Sequence, residues 1–256
     1  IRGVLPLIIS AIQNGHKKFI LPSKNAKEAS YIGGIEVYAF DKLSQVVEFL
    51  TGASQVAPLE TSEFVSISRA NKYNVDFAEV KGQFVAKRAL EIAVAGGHNV
   101  LLIGPPGAGK TMMAKCVPTI MPDMTFEEAI EVTKIHSVAG ILDDSVGIVV
   151  NRPFRTPHHT ATVPALMGGG ANARPGEISM AHNGVLFLDE MPEYQRRTLE
   201  TLRQPLEDGV AVVSRAKRTL EYPSRFMLVA SMNPCPCGNL GSKVQQCKCT
   251  PSEIHR

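Results

Sequence analysis

A glycine-rich segment in the middle of the chain has the residue types that hold a phosphate chain. Residues 104–111 read Gly-Pro-Pro-Gly-Ala-Gly-Lys-Thr, directly after the apolar run Val100–Ile103. Backbone N–H groups of such a loop point at phosphate oxygens, and the helix that follows adds partial positive charge. We predict that Lys110 reaches the β- and γ-phosphates of ATP and that the Thr111 hydroxyl binds Mg²⁺. The predicted phosphate cradle comprises Gly104, Pro105, Pro106, Gly107, Ala108, Gly109, Lys110 and Thr111.

Two adjacent carboxylates follow a second apolar run. Val185–Leu188 predicts a buried strand, and Asp189 and Glu190 come directly after it. Ligands of open α/β sheets bind at the carboxyl ends of the strands, which is where these acids would lie. We predict that Asp189 orders Mg²⁺ and its waters, and that Glu190 acts as the general base that activates water.

A third apolar run, Phe226–Ala230, predicts another strand of the same sheet, with Asn233 just beyond its end. Asn233 would lie between the glycine-rich loop and the two acids, where an amide can orient the water near the γ-phosphate. Before this run, Val210 to Tyr222 predicts a β-hairpin with a basic tip. Arg215, Lys217 and Arg218 at that tip are candidates for contacts with a DNA backbone, although a solvated turn explains them equally well.

Four of the five cysteines are close together near the end of the chain. Cys235 and Cys237 form one C-x-C pair, and Cys247 and Cys249 form another. Four thiolates suit tetrahedral Zn²⁺, but common zinc knuckles have two residues between the cysteines. Structural Zn²⁺ bound by these four residues and free or redox-active thiols therefore remain alternatives.

Overall composition is that of a globular protein. The chain has 256 residues, 44% of them hydrophobic, and a formal net charge of +3, which by itself does not indicate nucleic acid as a partner. No apolar run approaches the length of a membrane span, so we expect no membrane association. The cysteine pattern argues against a disulfide framework and favours the cytoplasm. Because the first residue is Ile1 rather than Met, we expect a fragment of a longer protein.

The sequence divides into three predicted segments. Residues 1–52 read as helix, strand, helical turn, strand and helix, with Asp41 as the cap of the last helix. Residues 53–75 read as a linker, and residues 76–256 as the nucleotide-binding core with the cysteine-rich segment 235–249.

Two further expectations concern residues near the proposed ATP site. Val80 and Gln83 precede the glycine-rich loop and are candidates for the adenine pocket, with plain packing as the alternative. His158 and His159 are adjacent on an extended segment, so we expect their rings to point to opposite faces and not to share a metal ion.

Taken together, these motifs resemble those of the magnesium-chelatase-like AAA+ ATPases. The resemblance rests on residues 104–111, 153–159, 174–179, 184–190 and 233–238. It implies an α/β fold, an AAA+ P-loop NTPase αβα core with a parallel sheet in the order 5-1-4-3-2. The glycine-rich loop corresponds to Walker A, Asp189 and Glu190 to Walker B, and Asn233 to sensor 1. Residues 154–179 match the helix-2 insertion of the family, and the basic hairpin matches its pre-sensor-1 hairpin.

The resemblance extends to the start of the chain, and it also indicates which elements of the family we expect to be missing from residues 1–256. Residues 1–52 look like the tail of a Lon-protease/S5-like α+β domain. The family's catalytic lysine has no counterpart in Arg2–Ile8, so we expect no peptidase activity. The fifth core strand, the arginine finger and the helical lid of the family do not occur in residues 1–256. Hydrolysis and ring assembly by this chain alone are therefore in question.

The resemblance implies an ATPase that forms a ring, expected to be a hexamer, and moves single-stranded or branched DNA. In this family, that activity is linked to branch migration in natural transformation. The alternative is the ATPase subunit of magnesium chelatase, which drives Mg²⁺ insertion into a porphyrin. A nucleotide-binding regulatory module without turnover is a third class, but the presence of Lys110, Asp189 and Glu190 argues against it.

Overall fold

The computed structural model describes residues 4–62, 64, 73–142, 147–170, 173–215, 218–242 and 245–254. The chain forms two compact units, one of residues 1–72 and 123–151 and the other of residues 73–122 and 152–256. No helix among the described residues is long and apolar enough to cross a bilayer. Part of the predicted linker, at positions 63 and 65–72, lies outside the described residues.

Helices and strands alternate through most of the chain. The α-helices are α1 (Val4–Gln13), α2 (Ala26–Ser30), α3 (Leu43–Leu50), α4 (Phe84–Gly96), α5 (Lys110–Cys116), α6 (Phe126–Ala139), α7 (Val163–Met167), α8 (Glu177–Met180), α9 (Arg196–Glu200), α10 (Arg203–Asp208) and α11 (Pro251–Ile254). The strands are β1 (Lys18–Pro22), β2 (Glu36–Phe40), β3 (Val100–Ile103), β4 (Phe154–Arg155), β5 (Gly168–Gly169), β6 (Arg174–Pro175), β7 (Val185–Leu188), β8 (Val210–Arg215), β9 (Arg218–Pro223) and β10 (Met227–Met232).

The first unit contains the predicted helix-strand-helix-strand-helix order. Strands β1 and β2 pair in parallel, with Lys18 opposite Glu36. The apolar stripe of α1 packs with Ala29 of α2 and Val37 of β2. The prediction that Asp41 caps α3 is wrong. The N-cap residue is Lys42, and the side chain of Gln45, not that of Asp41, accepts the hydrogen bonds at the start of the helix. Its Oε1 accepts hydrogen bonds from the backbone N–H groups of Asp41 and Lys42 at 3.1 and 3.0 Å.

Helix α6 also belongs to the first unit, which includes residues 123–151, although the sequence predicts residues 76–256 as one nucleotide-binding core. Its start is a capping box: Thr125 Oγ1 accepts from the backbone N–H of Glu128, and the Glu128 carboxylate accepts from that of Thr125. Gly140, at φ 77°, ends the helix in the left-handed conformation.

The second unit is built on a four-stranded parallel sheet in the order β3-β10-β7-β4. If these strands are numbered along the chain, β3, β4, β7 and β10 become 1, 2, 3 and 4. The observed order 1-4-3-2 then matches the predicted AAA+ order for these four strands. Parallel strands in the middle of such a sheet are covered on both faces, and all four residues of β7 are buried.

Alternate residues of β7 enter two separate cores. Val185 and Phe187 pack in a cluster with residues of α4 and α5, such as Leu90 and Met113. Leu186 and Leu188 pack in a second cluster, which includes residues from α7, α8 and β8. Since side chains alternate along a strand, one four-residue run supplies both faces of the sheet. The result is the expected αβα layering.

Prolines set two helix boundaries in this unit. Helix α5 ends at Cys116 and continues as a 3-10 turn over Val117–Ile120, since Pro118 lacks the N–H of a regular helix. Two short helices, α9 and α10, take the place of one continuous helix over residues 196–208. Pro205 lies in the first turn of α10, and its ring would clash with the Thr201 carbonyl in a continuous helix.

The predicted hairpin is present as the antiparallel pair β8 and β9. Lys217 lies outside the described residues, so the structure places only the two strands that lead to the tip. A much smaller antiparallel pair, β5 and β6, lies within the predicted insertion. Phe154 and Arg155, at the start of that predicted insertion, instead form β4 of the main sheet.

Candidate nucleotide-binding site

The glycine-rich loop connects β3 to α5, as the sequence predicted. Gly107 and Gly109 have φ values of 76° and 85°, a region in which side chains with a Cβ are strained. The backbone N–H of Gly104 donates to the carbonyl of Met232 at 3.3 Å, which ties the start of the loop to the end of β10. The loop is therefore held at the carboxyl edge of the sheet, with the N-terminus of α5 directly behind it.

Lys110 lies under this loop and contacts the end of β10. Its Nζ donates to the carbonyls of Gly104 at 2.7 Å and Pro105 at 3.0 Å, and to Asn233 Oδ1 at 3.1 Å. An ammonium group has three protons, so these three acceptors match its full donor capacity. The structure thus brings together Lys110 and Asn233, which are 123 residues apart in the sequence.

Thr111 and Asp189 form the second contact between the loop and the sheet. Thr111 Oγ1 donates to Asp189 Oδ2 at 2.9 Å. Two oxygen atoms of this kind are ligands that Mg²⁺ prefers, and they are also where the sequence predicted its binding. The four residues Lys110, Thr111, Asp189 and Asn233 therefore lie within one small region.

Sequence reasoning missed Ser231, which holds the two acidic positions in place. Its buried hydroxyl donates to Asp189 Oδ1 at 2.5 Å and accepts from the backbone N–H of Glu190 at 3.2 Å. Each carboxylate oxygen of Asp189 therefore receives one hydroxyl donor, from Thr111 and from Ser231. The available signal was a small polar residue inside an otherwise apolar strand, two positions before Asn233.

Glu190 is exposed and has a φ of 51°, in the left-handed region that residues other than glycine seldom adopt. It directly precedes the 3-10 turn Met191–Glu193. Residues held in this conformation are often found at functional sites, where the surrounding structure maintains the strain.

Tyr194 follows the same turn and is buried. Its hydroxyl donates to the carbonyl of Pro157 at 2.5 Å. Burial, with a smaller contribution from the charge of Asp189, raises the pKa of Tyr194 to about 12. The tyrosine therefore links the end of β7 to the segment that carries His158 and His159.

The two histidines do not follow the predicted arrangement. Their rings are 4.1 Å apart, because the chain turns at residues 159–160 instead of continuing as an extended segment. His158 Nδ1 lies 2.8 Å from Thr160 Oγ1. No cluster of potential metal ligands in the described part of the chain includes either histidine.

The two adenine-pocket candidates have different surroundings. Val80 is buried in the core with α4 and α5, which agrees with the packing alternative. Gln83 Nε2 donates to the carbonyl of Ala108 at 3.3 Å, so this side chain contacts the glycine-rich loop. Of the two, Gln83 is the residue that contacts the glycine-rich loop.

The four C-terminal cysteines form one cluster, whose sulfur atoms all lie within 4.8 Å of one another. Backbone N–H groups of Lys248 and Asn239, with further hydrogen bonds from Cys235 and Cys249, lower the pKa of the Cys237 thiol to about 6. The fifth cysteine, Cys116, is buried in the core around α5.

For the DNA-contact candidates, the structure gives backbone positions only. Arg215 and Arg218 are opposite each other at the end of the β8–β9 ladder. The role of these residues and of Lys217 therefore stays a prediction.

Comparison with known proteins agrees with this fold. Residues 76–256 match the family described as "Magnesium chelatase, subunit ChlI". The chain is 46% identical to competence protein ComM of Haemophilus influenzae over 93% of its own length and 47% of that protein. It is 44% identical to the uncharacterized protein YifB of Escherichia coli, over 99% of the chain and 49% of that protein. The chain thus spans about half the length of the curated relatives it matches.

A solved structure supports the fold. The complex between subunits BchI and BchD of magnesium chelatase, based on cryo-EM, contains a chain that matches with a TM-score of 0.50 and 20% identity. The match covers 72% of this chain and 60% of that chain. Residues 76–256 match the family, the fold is shared, and the chain is similar to ComM. The chain therefore belongs to the magnesium-chelatase-like AAA+ ATPase family.

Proposed function

We propose that this protein is an ATP-driven ring motor, a hexamer in its full-length form, that moves branched or single-stranded DNA in the cytoplasm. The observation that carries the ATPase part is the convergence of Lys110, Thr111, Asp189 and Asn233 at one edge of the sheet. These residues follow the ends of three different strands. Two hydrogen bonds of 3.1 Å or less join them, one from Lys110 to Asn233 and one from Thr111 to Asp189.

The donor set fits Mg²⁺, since Thr111 and Asp189 offer two hard oxygen ligands 2.9 Å apart. When bound, Mg²⁺ would neutralise charge on the phosphate oxygens of ATP. Lys110 binds the β- and γ-phosphates through its ammonium group, in exchange for its contacts with backbone carbonyls. The loop N–H groups orient the phosphate chain toward the carboxyl edge of the sheet.

Water activation is assigned to Glu190 and Asn233. The Glu190 carboxylate accepts a proton from the attacking water. Asn233 Oδ1 already accepts from Lys110 and is therefore close to where the γ-phosphate would bind. Ser231 keeps the Asp189 carboxylate in place during this exchange.

The experiment measures ATP hydrolysis by the full-length protein with the variant Glu190→Gln. We expect hydrolysis to fall by about a hundredfold or more, because a positioned general base contributes at least that much, while nucleotide binding is retained. Glu193→Gln, three residues further on, is the matched control and should hydrolyse ATP at the normal rate. Equal rates for wild type and Glu190→Gln would contradict the role given to Glu190.

DNA as the load is supported by the similarity to a competence protein and by the basic hairpin. Neutralising Arg215, Lys217 and Arg218 together should weaken DNA binding and flatten its dependence on salt, because fewer counterions are released. The control neutralises Arg196 and Arg203, which already pair with Glu200 and Glu207. DNA affinity and salt dependence that do not change in the hairpin variant would contradict this part of the proposal.

The second candidate is an ATPase subunit that drives Mg²⁺ insertion into a porphyrin. It is favoured by the description of the matching family. The two functions differ in what stimulates the ATPase. Faster hydrolysis with branched DNA supports the DNA motor, whereas faster hydrolysis only with porphyrin and chelatase partner subunits supports the second candidate.

A further inference from the structure

The cysteine cluster consists of Cys235, Cys237, Cys247 and Cys249, and it begins two residues after Asn233. Its sulfur-to-sulfur distances are 3.4 Å between Cys235 and Cys237, and 3.7 Å from Cys247 to each of these two. All four sulfur atoms are within 4.8 Å of one another. Two short segments, separated by a loop, therefore place four thiols around a common centre.

These distances match a metal site better than a disulfide. A disulfide has a sulfur-to-sulfur distance of about 2.05 Å, well below those observed. A tetrahedral zinc site with Zn–S bonds of about 2.3 Å has edges of about 3.8 Å between its sulfur atoms. The three closest pairs fall slightly below that edge, as expected for four thiols arranged around the position of one ion.

Backbone N–H groups also point at the sulfur atoms. Leu240 N–H donates to Cys235 Sγ at 3.3 Å, and Cys237 N–H donates to Cys249 Sγ at 3.4 Å. Donors of this kind stabilise the negative charge of thiolates that bind a metal ion and fix their orientation. The turn from Cys235 to Gly238 is closed by a hydrogen bond of 2.9 Å from Gly238 N–H to the carbonyl of Cys235.

We propose that Cys235, Cys237, Cys247 and Cys249 bind one Zn²⁺ ion as a structural tetrathiolate site that supports the glycine-rich loop. Four sulfur ligands select a soft or borderline ion, and a closed set of four protein ligands is typical of a structural rather than a catalytic zinc site. The sulfur-rich centre thus differs in chemistry from the oxygen ligands of the nucleotide site.

The support of the loop follows from one close contact. Gly238, at φ 76°, lies against the ring of Pro106, and a Cβ at position 238 would be 2.6 Å from Pro106 Cδ. Before the cluster in the sequence, Asn233 Oδ1 accepts a hydrogen bond from Lys110 Nζ. A metal ion that fixes the turn after Asn233 therefore restrains both the Pro106 side of the loop and the partner of Lys110. This coupling rests on the proposed ATP binding, whereas the zinc site itself does not.

The first test measures zinc in the full-length protein by mass spectrometry of the metal content. We expect the double variant Cys247→Ser/Cys249→Ser to contain one zinc ion per chain less than wild type. Cys116→Ala, which removes the cysteine outside the cluster, should keep the zinc content of wild type. Replacement by Co²⁺ should give the visible absorption of a tetrahedral tetrathiolate site in wild type and not in the double variant.

Two further measurements keep this test decisive. If the double variant does not fold, Cys249→His offers a replacement ligand and should retain zinc with a changed Co²⁺ spectrum. Equal zinc content in wild type and the double variant, iron in place of zinc, or a Cys235–Cys237 disulfide in the purified protein would each overturn the zinc site.

The second test separates support of the loop from metal binding. Gly238→Ala keeps all four thiols but places a methyl group against Pro106, so we expect normal zinc content and nucleotide affinity about tenfold weaker. Gly241→Ala is the matched control, because Gly241 has nearly the same φ, 77°, and no atom within 4 Å of its Cβ position. Equal nucleotide affinity for the two variants would overturn the coupling. If wild type binds no nucleotide, the proposed function fails while the zinc measurement still stands.

Discussion

The nucleotide site (Lys110, Thr111, Asp189, Ser231 and Asn233) and the cysteine cluster are neighbours along the chain but are held together differently. The nucleotide site collects residues from the ends of three parallel strands, so the sheet fixes its geometry. The cysteine cluster spans only residues 235–249, and the described residues between its two pairs, 238–242 and 245–246, form no α-helix or β-strand. The first site is specified by long-range packing, whereas the second depends on a short loop and on the ion that we propose it binds.

The largest expected effect breaks the nucleotide site and leaves the cluster intact. Lys110→Ala removes an ammonium group with three hydrogen bonds at this site, so nucleotide affinity should fall by about a hundredfold. Zinc content should not change, because the cluster has its own ligands. Binding is measured by calorimetry with a nonhydrolysable ATP analogue. Lys115→Ala, exposed on the same helix, is the control. Loss of zinc in Lys110→Ala would show that the two regions do not form independently.

An intermediate effect is expected where the sheet positions the nucleotide site. Ser231→Ala removes one of the two hydroxyl donors to Asp189, and hydrolysis should fall about tenfold. Because the change acts through Asp189, the Mg²⁺ concentration for half-maximal hydrolysis should also rise. The control is Ser224→Ala, a buried serine whose hydroxyl has no hydrogen-bond partner within the described part of the chain. A lower rate with unchanged Mg²⁺ dependence would mean that Ser231 acts only through stability.

The smallest effect concerns Tyr194, at the margin of the nucleotide site. Its raised pKa means that the folded state holds the phenol proton more tightly than the unfolded state. This contribution to stability is therefore fully present below pH 10 and is lost as the pH rises toward 12. Tyr194→Phe should lower the free energy of unfolding by about 1 kcal/mol at pH 7, through the lost hydrogen bond to Pro157. Urea unfolding at pH 7 and pH 11 should show a smaller difference from wild type at the higher pH. Equal differences at both values would contradict this reasoning.

Local signals explain what the sequence predicted well. The glycine-rich loop and the apolar run before Asp189 each depend on a few consecutive residues, and each has one dominant physical cause. The four-strand order agreed with the prediction because the family resemblance supplied it. The catalytic roles of Glu190 and Asn233 stay predictions, since geometry places these residues without showing what they do.

Features that depend on distant contacts could not be predicted. Ser231 looks like an ordinary strand residue until β7 and β10 are paired, which brings it beside Asp189. The position of α6 in the first unit depends on packing against residues such as Tyr31 and Ile148. The His158 and His159 rings lie close together because the chain turns there, whereas the sequence predicted an extended segment.

Strand β7 has a consequence for how this protein can change during evolution. Its alternate residues fill two cores, and its end places Asp189 beside Thr111. Insertion or deletion of one residue would exchange the two sets of side chains and turn Asp189 to the other face. Lineages of this protein should therefore tolerate substitutions in β7 that conserve volume, while length variants arise in the loops around it.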